Sequence, residues 1–151
     1  MKLRYLLVLL ATLLASPALS QDTVSELQEA AKLHQAGKLD QALEIYNKLL
    51  REDAELKPTQ RAGALLMRGR ALYQKRDMKG AAADYDAAIE IAPDNTLGYL
   101  SRAALRGGLG EFEGALADFD RVLTVRPDFV PAVVARARVL GELRRYGDAA
   151  E

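Results

Sequence analysis

The chain has 151 residues, half of them apolar, with 21 basic against 21 acidic side chains and no cysteine. That length suits one domain with a real core and is short for two. The zero formal charge gives no electrostatic case for nucleic acid or an anionic membrane as partner, and the lack of cysteine excludes disulfides, thiol nucleophiles and thiolate metal sites.

The first element in chain order is a leader. Lys2 and Arg4 precede the apolar run from Tyr5 to Ala15, and "SPALS" then places Ala18 and Ser20 three and one residues before a cut ahead of Gln21. Charge, apolar run and small-residue exit predict a secretory signal peptide over residues 1–20. The run falls short of the roughly 20 apolar residues that span a bilayer, so cleavage is expected rather than a retained anchor. Lipid attachment would need a cysteine at the cut. The processed chain, 21–151, carries 19 basic and 21 acidic residues, a net charge of −2. It is expected to be exported, periplasmic in a bacterium with two membranes, with no stable membrane insertion after the leader is removed.

Beyond the leader the sequence echoes itself. "GKLDQALEIYNKLL" from Gly37, "RDMKGAAADYDAAI" from Arg76, "GEFEGALADFDRVL" from Gly110 and the start "RRYGDAAE" from Arg144 align on Ala42, Ala81, Ala115 and Ala149, at separations of 39, 34 and 34 residues. A fixed period of this size marks an array of supersecondary units that bury their apolar faces on one another. Abundant Ala, Leu, Arg and Glu favour helix. In the second helix of each complete unit, steps of four and three align Ala42, Tyr46 and Leu49; Ala81, Tyr85 and Ala88; and Ala115, Phe119 and Val122 on one face. Each first helix has a small residue near its middle, Ala30, Gly69, Ala103 or Ala137, where a partner helix can approach closely. The links "QAGK", "KRD", "LGE" and "RRYG" suit tight antiparallel turns. Pro93 and Pro127 follow second helices that they would stop, and Asn95 and Asp128 are candidate caps for the helices that come next.

This pattern resembles the tetratricopeptide repeat family. It matches at Ala30, Leu33, Gly37, Ala42 and Tyr46 in the first unit and at Gly69, Tyr73, Ala81, Tyr85, Ala88 and Pro93 in the second. The third matches at Tyr99, Ala103, Gly110, Ala115, Phe119 and Pro127. The first unit departs from the pattern, with Ala54 at the proline position and a five-residue extension before Pro58. The resemblance implies an all-α fold, an α-solenoid of antiparallel helix hairpins wound as a right-handed superhelix, with repeats over about 23–56, 62–95 and 96–129 and an incomplete one over 130–151. It also implies a concave groove lined by the first helices and suited to a peptide or a partner helix. Helical spacing and the resemblance together place Leu27, Ala31, His34, Leu66, Arg70, Tyr73, Leu100, Ala104, Val134 and Arg138 there, with Arg70, Tyr73 and Arg138 as the strongest anchors. Chaperone-binding members of the family grip a terminal carboxylate with a lysine and asparagine set. Leu27, Ala31, Met67, Leu97 and Ser101 stand in those places, so chaperone-tail recognition is not carried over.

The repeated Asp-aromatic-Asp, Asp84 with Asp86 and Asp118 with Asp120, looks at first like a metal or catalytic carboxylate pair. Residues two apart on a helix point about 200° apart, so neither pair converges easily on one ion. Arg68, Arg102 and Arg136 recur at the same period of 34. Folding each hairpin brings Arg68 level with Asp84 and Arg102 level with Asp118. Ion pairs within the hairpins are therefore expected, worth about 0–1 kcal/mol each if exposed. Exchanging the charges of Arg102 and Asp118 should then restore what either reversal alone loses.

Other chemistry is sparse. His34, the single histidine, lacks partners for a metal site or a catalytic triad. "RGGLGE", Arg106 to Glu111, has neither the preceding strand nor the lysine of a phosphate loop and reads as a helix end and turn. No catalytic residue, cofactor or metal is expected. The predicted function is a non-catalytic protein-interaction scaffold of the bacterial cell envelope. The alternative is the N-terminal adaptor of a longer envelope enzyme, a protease or cell-wall hydrolase, because "GDAAE" stops inside a second helix and leaves Val133, Leu140 and Leu143 partly uncovered. That edge is also open to self-association.

Overall fold

The computed structural model describes residues 18–51 and 56–150, with side chains between 22 and 145. Its seven described helices are α1 (Ala18–Gln35), α2 (Leu39–Leu49), α3 (Pro58–Gln74), α4 (Met78–Ile91), α5 (Thr96–Leu109), α6 (Phe112–Val125) and α7 (Val130–Ala150). No strand occurs among the described residues. The expected leader lies outside them except for residues 18–20, which open α1. None of the described helices is long and apolar enough to cross a membrane.

The chain divides into two compact units, 1–56 and 57–151. In the first, α1 packs on α2 around Ala30, Ala42 and Tyr46, with Leu27, Leu33 and Ile45 closing over them. Lys48 Nζ reaches Glu26 Oε1 at 2.6 Å across the outside of this hairpin. In the second unit α3 pairs with α4 and α5 with α6, while α4 packs on α5 and α6 on α7. Its core gathers Ala103, Phe112, Ala115, Phe119, Val122, Ala132 and Val139. These are mostly the residues that steps of three and four align on one face of each helix.

Every hairpin turns in the same way. Gly37, Arg76 and Gly110 take positive φ, 74°, 67° and 82°. The following N–H groups of Lys38, Asp77 and Glu111 donate to the carbonyls of Leu33, Leu72 and Arg106 at 2.9 Å. This six-to-one bond past a left-handed residue satisfies carbonyls at the helix end, and glycine adopts it without steric cost. Arg76 holds the same geometry with a side chain. Helix starts are capped locally: Asp77 accepts from Gly80 N at 2.9 Å, Asn95 from Leu97 N at 3.1 Å, and the Gln60 side chain from Lys57 N at 3.0 Å ahead of Pro58. Asp128, the other expected cap, sits one residue too early. Helix α7 starts at Val130, so the flanking position belongs to Phe129, whose carbonyl accepts from Ala132 and Val133.

Small residues set the helix spacing. A Cβ on Gly69 would lie 2.7 Å from Cε1 of Tyr85, so the α4 ring rests directly on the α3 backbone. Ala30 and Ala103 are likewise buried, whereas Ala137 is exposed. The turn expected at "RRYG" does not form, and α7 runs straight through it to Ala150. One glycine costs a helix only about 1 kcal/mol, so Gly147 alone does not break α7.

The expected ion pairs are present, and each belongs to a longer chain of contacts. Arg68 grips Asp84 through Nε and Nη2 at 2.8 and 2.6 Å, and Arg102 grips Asp118 in the same bidentate way at 2.9 and 2.7 Å. Arg102 also donates from Nη1 to Asp86 at 2.6 Å, and Arg136 donates to Asp120 at 2.6 Å. The first aspartate of each pair thus binds within its hairpin, and the second binds the first helix of the next unit. Asp118 also receives Arg106 Nη1 at 2.8 Å. Asp84 and Asp118 are 4% and 3% exposed, so the value given for exposed pairs does not apply to them. Hydrogen bonds to Asp118 raise the Arg102 guanidinium above its ordinary range against the opposing effect of burial, and those to Asp84 do the same for Arg68. The charge exchange also loses its logic. An aspartate at 102 would face Asp86 and an arginine at 118 would face Arg106, so the double reversal is expected to remain destabilised.

Candidate partner-binding groove

The face of the first helices opposite these ion pairs is open. On α3, residues 63, 66, 67, 70 and 73 fall at helical steps along one side, and on α5 residues 97, 100, 101, 104, 107 and 108 do the same. Three depressions follow one another along this side of the second unit. One of about 430 Å³ is lined mainly by Gly63, Leu66, Met67, Leu97 and Leu100, with Arg70 and Ser101 at its edge. A smaller one of about 170 Å³ lies over Arg70, Tyr73, Tyr85 and Leu105. The third, about 380 Å³, is bounded by Tyr73, Gly107, Gly108, Phe112 and Phe119 and by Arg138, Val139 and Glu142 of α7. Ala104 lines all three, which makes them one continuous groove.

Of the residues expected in the groove, the structure brings together Leu66, Arg70, Tyr73, Leu100, Ala104 and Arg138. Val134 stands one turn before Arg138, 62% exposed, outside these depressions. Leu27, Ala31 and His34 are half-buried on α1 of the first unit, and Leu27 packs on that hairpin's core. The structure adds Gly63, Met67, Leu97, Ser101, Gly107, Gly108 and Glu142. Most lie three or four residues from an expected lining position on the same helix, so the 3.6-residue period could have found them.

The groove is apolar underneath and cationic along its length. Met67, Tyr73 and Leu97 expose 37%, 41% and 52% of their surfaces. Arg70 and Arg138 make no ion pair among the described residues. Glu142, in contrast, is held through both carboxylate oxygens by Arg145 Nη1 at 3.1 Å. Beneath the middle depression the buried Tyr85 phenol is pushed up to about 12, chiefly by burial. The charge of Arg70 pulls it down, and Tyr73 and Asp84 push it up. No group of three or more metal-ligating side chains occurs among the described residues.

Residues 27–96 match the tetratricopeptide repeat family, covering α2 to α4 and much of α1. The fold is the tetratricopeptide repeat. Its paired helices agree with the first such domain of Spaghetti (RPAP3), solved bound to the HSP90 peptide SRMEEVD, at 26% identity and a TM-score of 0.74, over 83% of this chain and 95% of that one. The Arabidopsis OM64 tetratricopeptide repeat domain is 21% identical, with a TM-score of 0.73 over 83% of this chain and 99% of that one. A tetratricopeptide repeat protein from Parabacteroides merdae is 22% identical, with a TM-score of 0.73 over 83% of this chain and 48% of that one. No curated protein sequence matches the chain significantly. Tetratricopeptide architecture thus agrees with the all-α repeat fold expected from the sequence.

Proposed function

We propose that the chain is a non-catalytic protein-interaction scaffold of the bacterial cell envelope, holding a peptide or a partner helix in the groove of α3, α5 and α7. The observation that carries this reading is the continuous, partly apolar channel around Ala104, with Tyr73 and two arginines without ion-pair partners exposed along it. Tyrosine and arginine combine large contact area with directional hydrogen bonding, and both are frequent interface anchors. The neighbour at 26% identity that was solved bound to an HSP90 peptide supports a peptide as occupant. The envelope assignment is supported by Lys2, Arg4 and the apolar run ahead of "SPALS".

A photo-crosslinking amino acid at position 104, presented to envelope extract, should capture a discrete partner. The Arg70→Ala/Tyr73→Ala variant should reduce that capture at least fivefold with unchanged helicity by circular dichroism. Capture indifferent to both substitutions removes the groove assignment. Export is tested separately by sequencing the N-terminus of the cellular protein: a start at Gln21 in the periplasmic fraction supports it, and an intact Met1 in the cytosol overturns it.

A further inference from the structure

The groove carries more charge than the chain's balance suggests. The whole sequence is formally neutral, and Arg68, Arg102, Arg106 and Arg136 all spend their charge on aspartates. Arg70 and Arg138 do not, and the carboxylate lining the groove beside Arg138, Glu142, is occupied by Arg145. Two uncommitted positive charges therefore stand on different helices, on either side of the small residue Ala104. Their separation onto α3 and α7 suits two side-chain carboxylates along a segment better than one chain end. Beside each lies a place for a bulky apolar group. Leu66, Met67, Leu97 and Leu100 surround the first, and the second opens at Gly108, in the depression that Phe112 and Phe119 also line, whereas Val139 fills the space beside Gly107. A Cβ at Gly108 would meet nothing nearer than the Tyr73 hydroxyl at 3.9 Å, so that space is open to a partner.

We infer that the groove recognises an acidic segment of a partner protein bearing two bulky apolar side chains, one seated among Leu66, Met67, Leu97 and Leu100 and the other over Gly108, with carboxylates meeting Arg70 and Arg138 and no free chain terminus required. This rests on the groove reading proposed above and adds the chemistry of its occupant. Charge pairing at an exposed groove is screened by salt, whereas the apolar seats are not, so both contributions can be read separately.

The test is selection of displayed random 12-residue peptides, flanked on both sides by fixed sequence, on the folded chain. Enriched peptides should pair Asp or Glu with two large apolar residues. Their amidated synthetic copies should bind at least tenfold more weakly to the Arg70→Glu/Arg138→Glu variant and at high salt. Gly108→Leu should also cost at least tenfold, without lowering the thermal midpoint, because it fills the seat while removing a helical glycine. Enrichment of basic or uncharged peptides that Arg70→Ala/Tyr73→Ala releases would overturn this inference and leave the groove intact. Undiminished binding of acidic peptides by the charge-reversed variant would also overturn it. Peptides indifferent to every groove substitution would sink both readings.

Discussion

Arg68 and Arg70 stand two residues apart on α3 and serve opposite ends, and Arg136 and Arg138 repeat the contrast on α7. Arg68 and Arg136 are drawn onto aspartates of the neighbouring second helices, whereas Arg70 and Arg138 look out over the groove without an ion-pair partner among the described residues. The two-residue step turns a side chain about 200° around the helix, which is enough to move the same residue type from a structural contact to a recognition surface. One side of these helices holds the array together and the other is left open. Substitutions on the first side should therefore change stability, and those on the second should change binding alone.

The largest effect is expected from Asp118→Ala. It strips Arg102 and Arg106 of a nearly buried acceptor and should lower unfolding free energy by about 3 kcal/mol, measured by urea denaturation, because uncompensated buried charge is costly. Tyr85 lies between the two faces. Its folded-state value near 12 exceeds the roughly 10 of an unfolded phenol, so the stabilisation is complete below pH 10 and is lost as pH rises through 12. Denaturation from pH 9 to 12 should show Tyr85→Phe losing about 2 kcal/mol less than the parent across that window. Gly69→Ala drives a methyl into the Tyr85 ring and should cost about 1 kcal/mol net of its gain in helix propensity, seen as a lower thermal midpoint. The smallest effect on stability belongs to the groove. Arg70→Glu/Arg138→Glu should leave the unfolding free energy within about 0.5 kcal/mol of the parent. A larger loss there would erase the distinction between the two faces.

Much of this was legible in the sequence because it repeats. The apolar steps through Ala81, Tyr85 and Ala88 place one face of α4, and the 34-residue recurrence of Arg68 and Arg102 opposite Asp84 and Asp118 foretells the bonds inside each hairpin. The bonds from Arg102 to Asp86 and from Arg136 to Asp120 were not foreseen, since they depend on how one hairpin settles against the next. The burial of Asp84 and Asp118 was left open for the same reason, because a side chain's exposure is decided by neighbours distant in sequence. The reading of Arg106 to Glu111 as a helix end and turn holds, with α5 ending at Leu109 and Gly110 making the turn. The role of Gly108 as a gap in the groove wall appears only when the depression with Phe112 and Phe119 forms beside it. The turn expected near Gly147 is replaced by continuous helix, because a single glycine costs a helix only about 1 kcal/mol.

The reach of Arg102 to Asp86 behind it and Asp118 ahead gives the second unit a common joint at each junction. A duplicated cassette of residues 86–119 would present Asp86 of the second copy where Asp120 now stands, so Arg102 of each copy would find both acids and Arg136 would keep Asp120. Lengthening the protein by tandem gene duplication would leave no charge stranded at the splice, and the same joint offers a route to engineered chains with a longer binding channel.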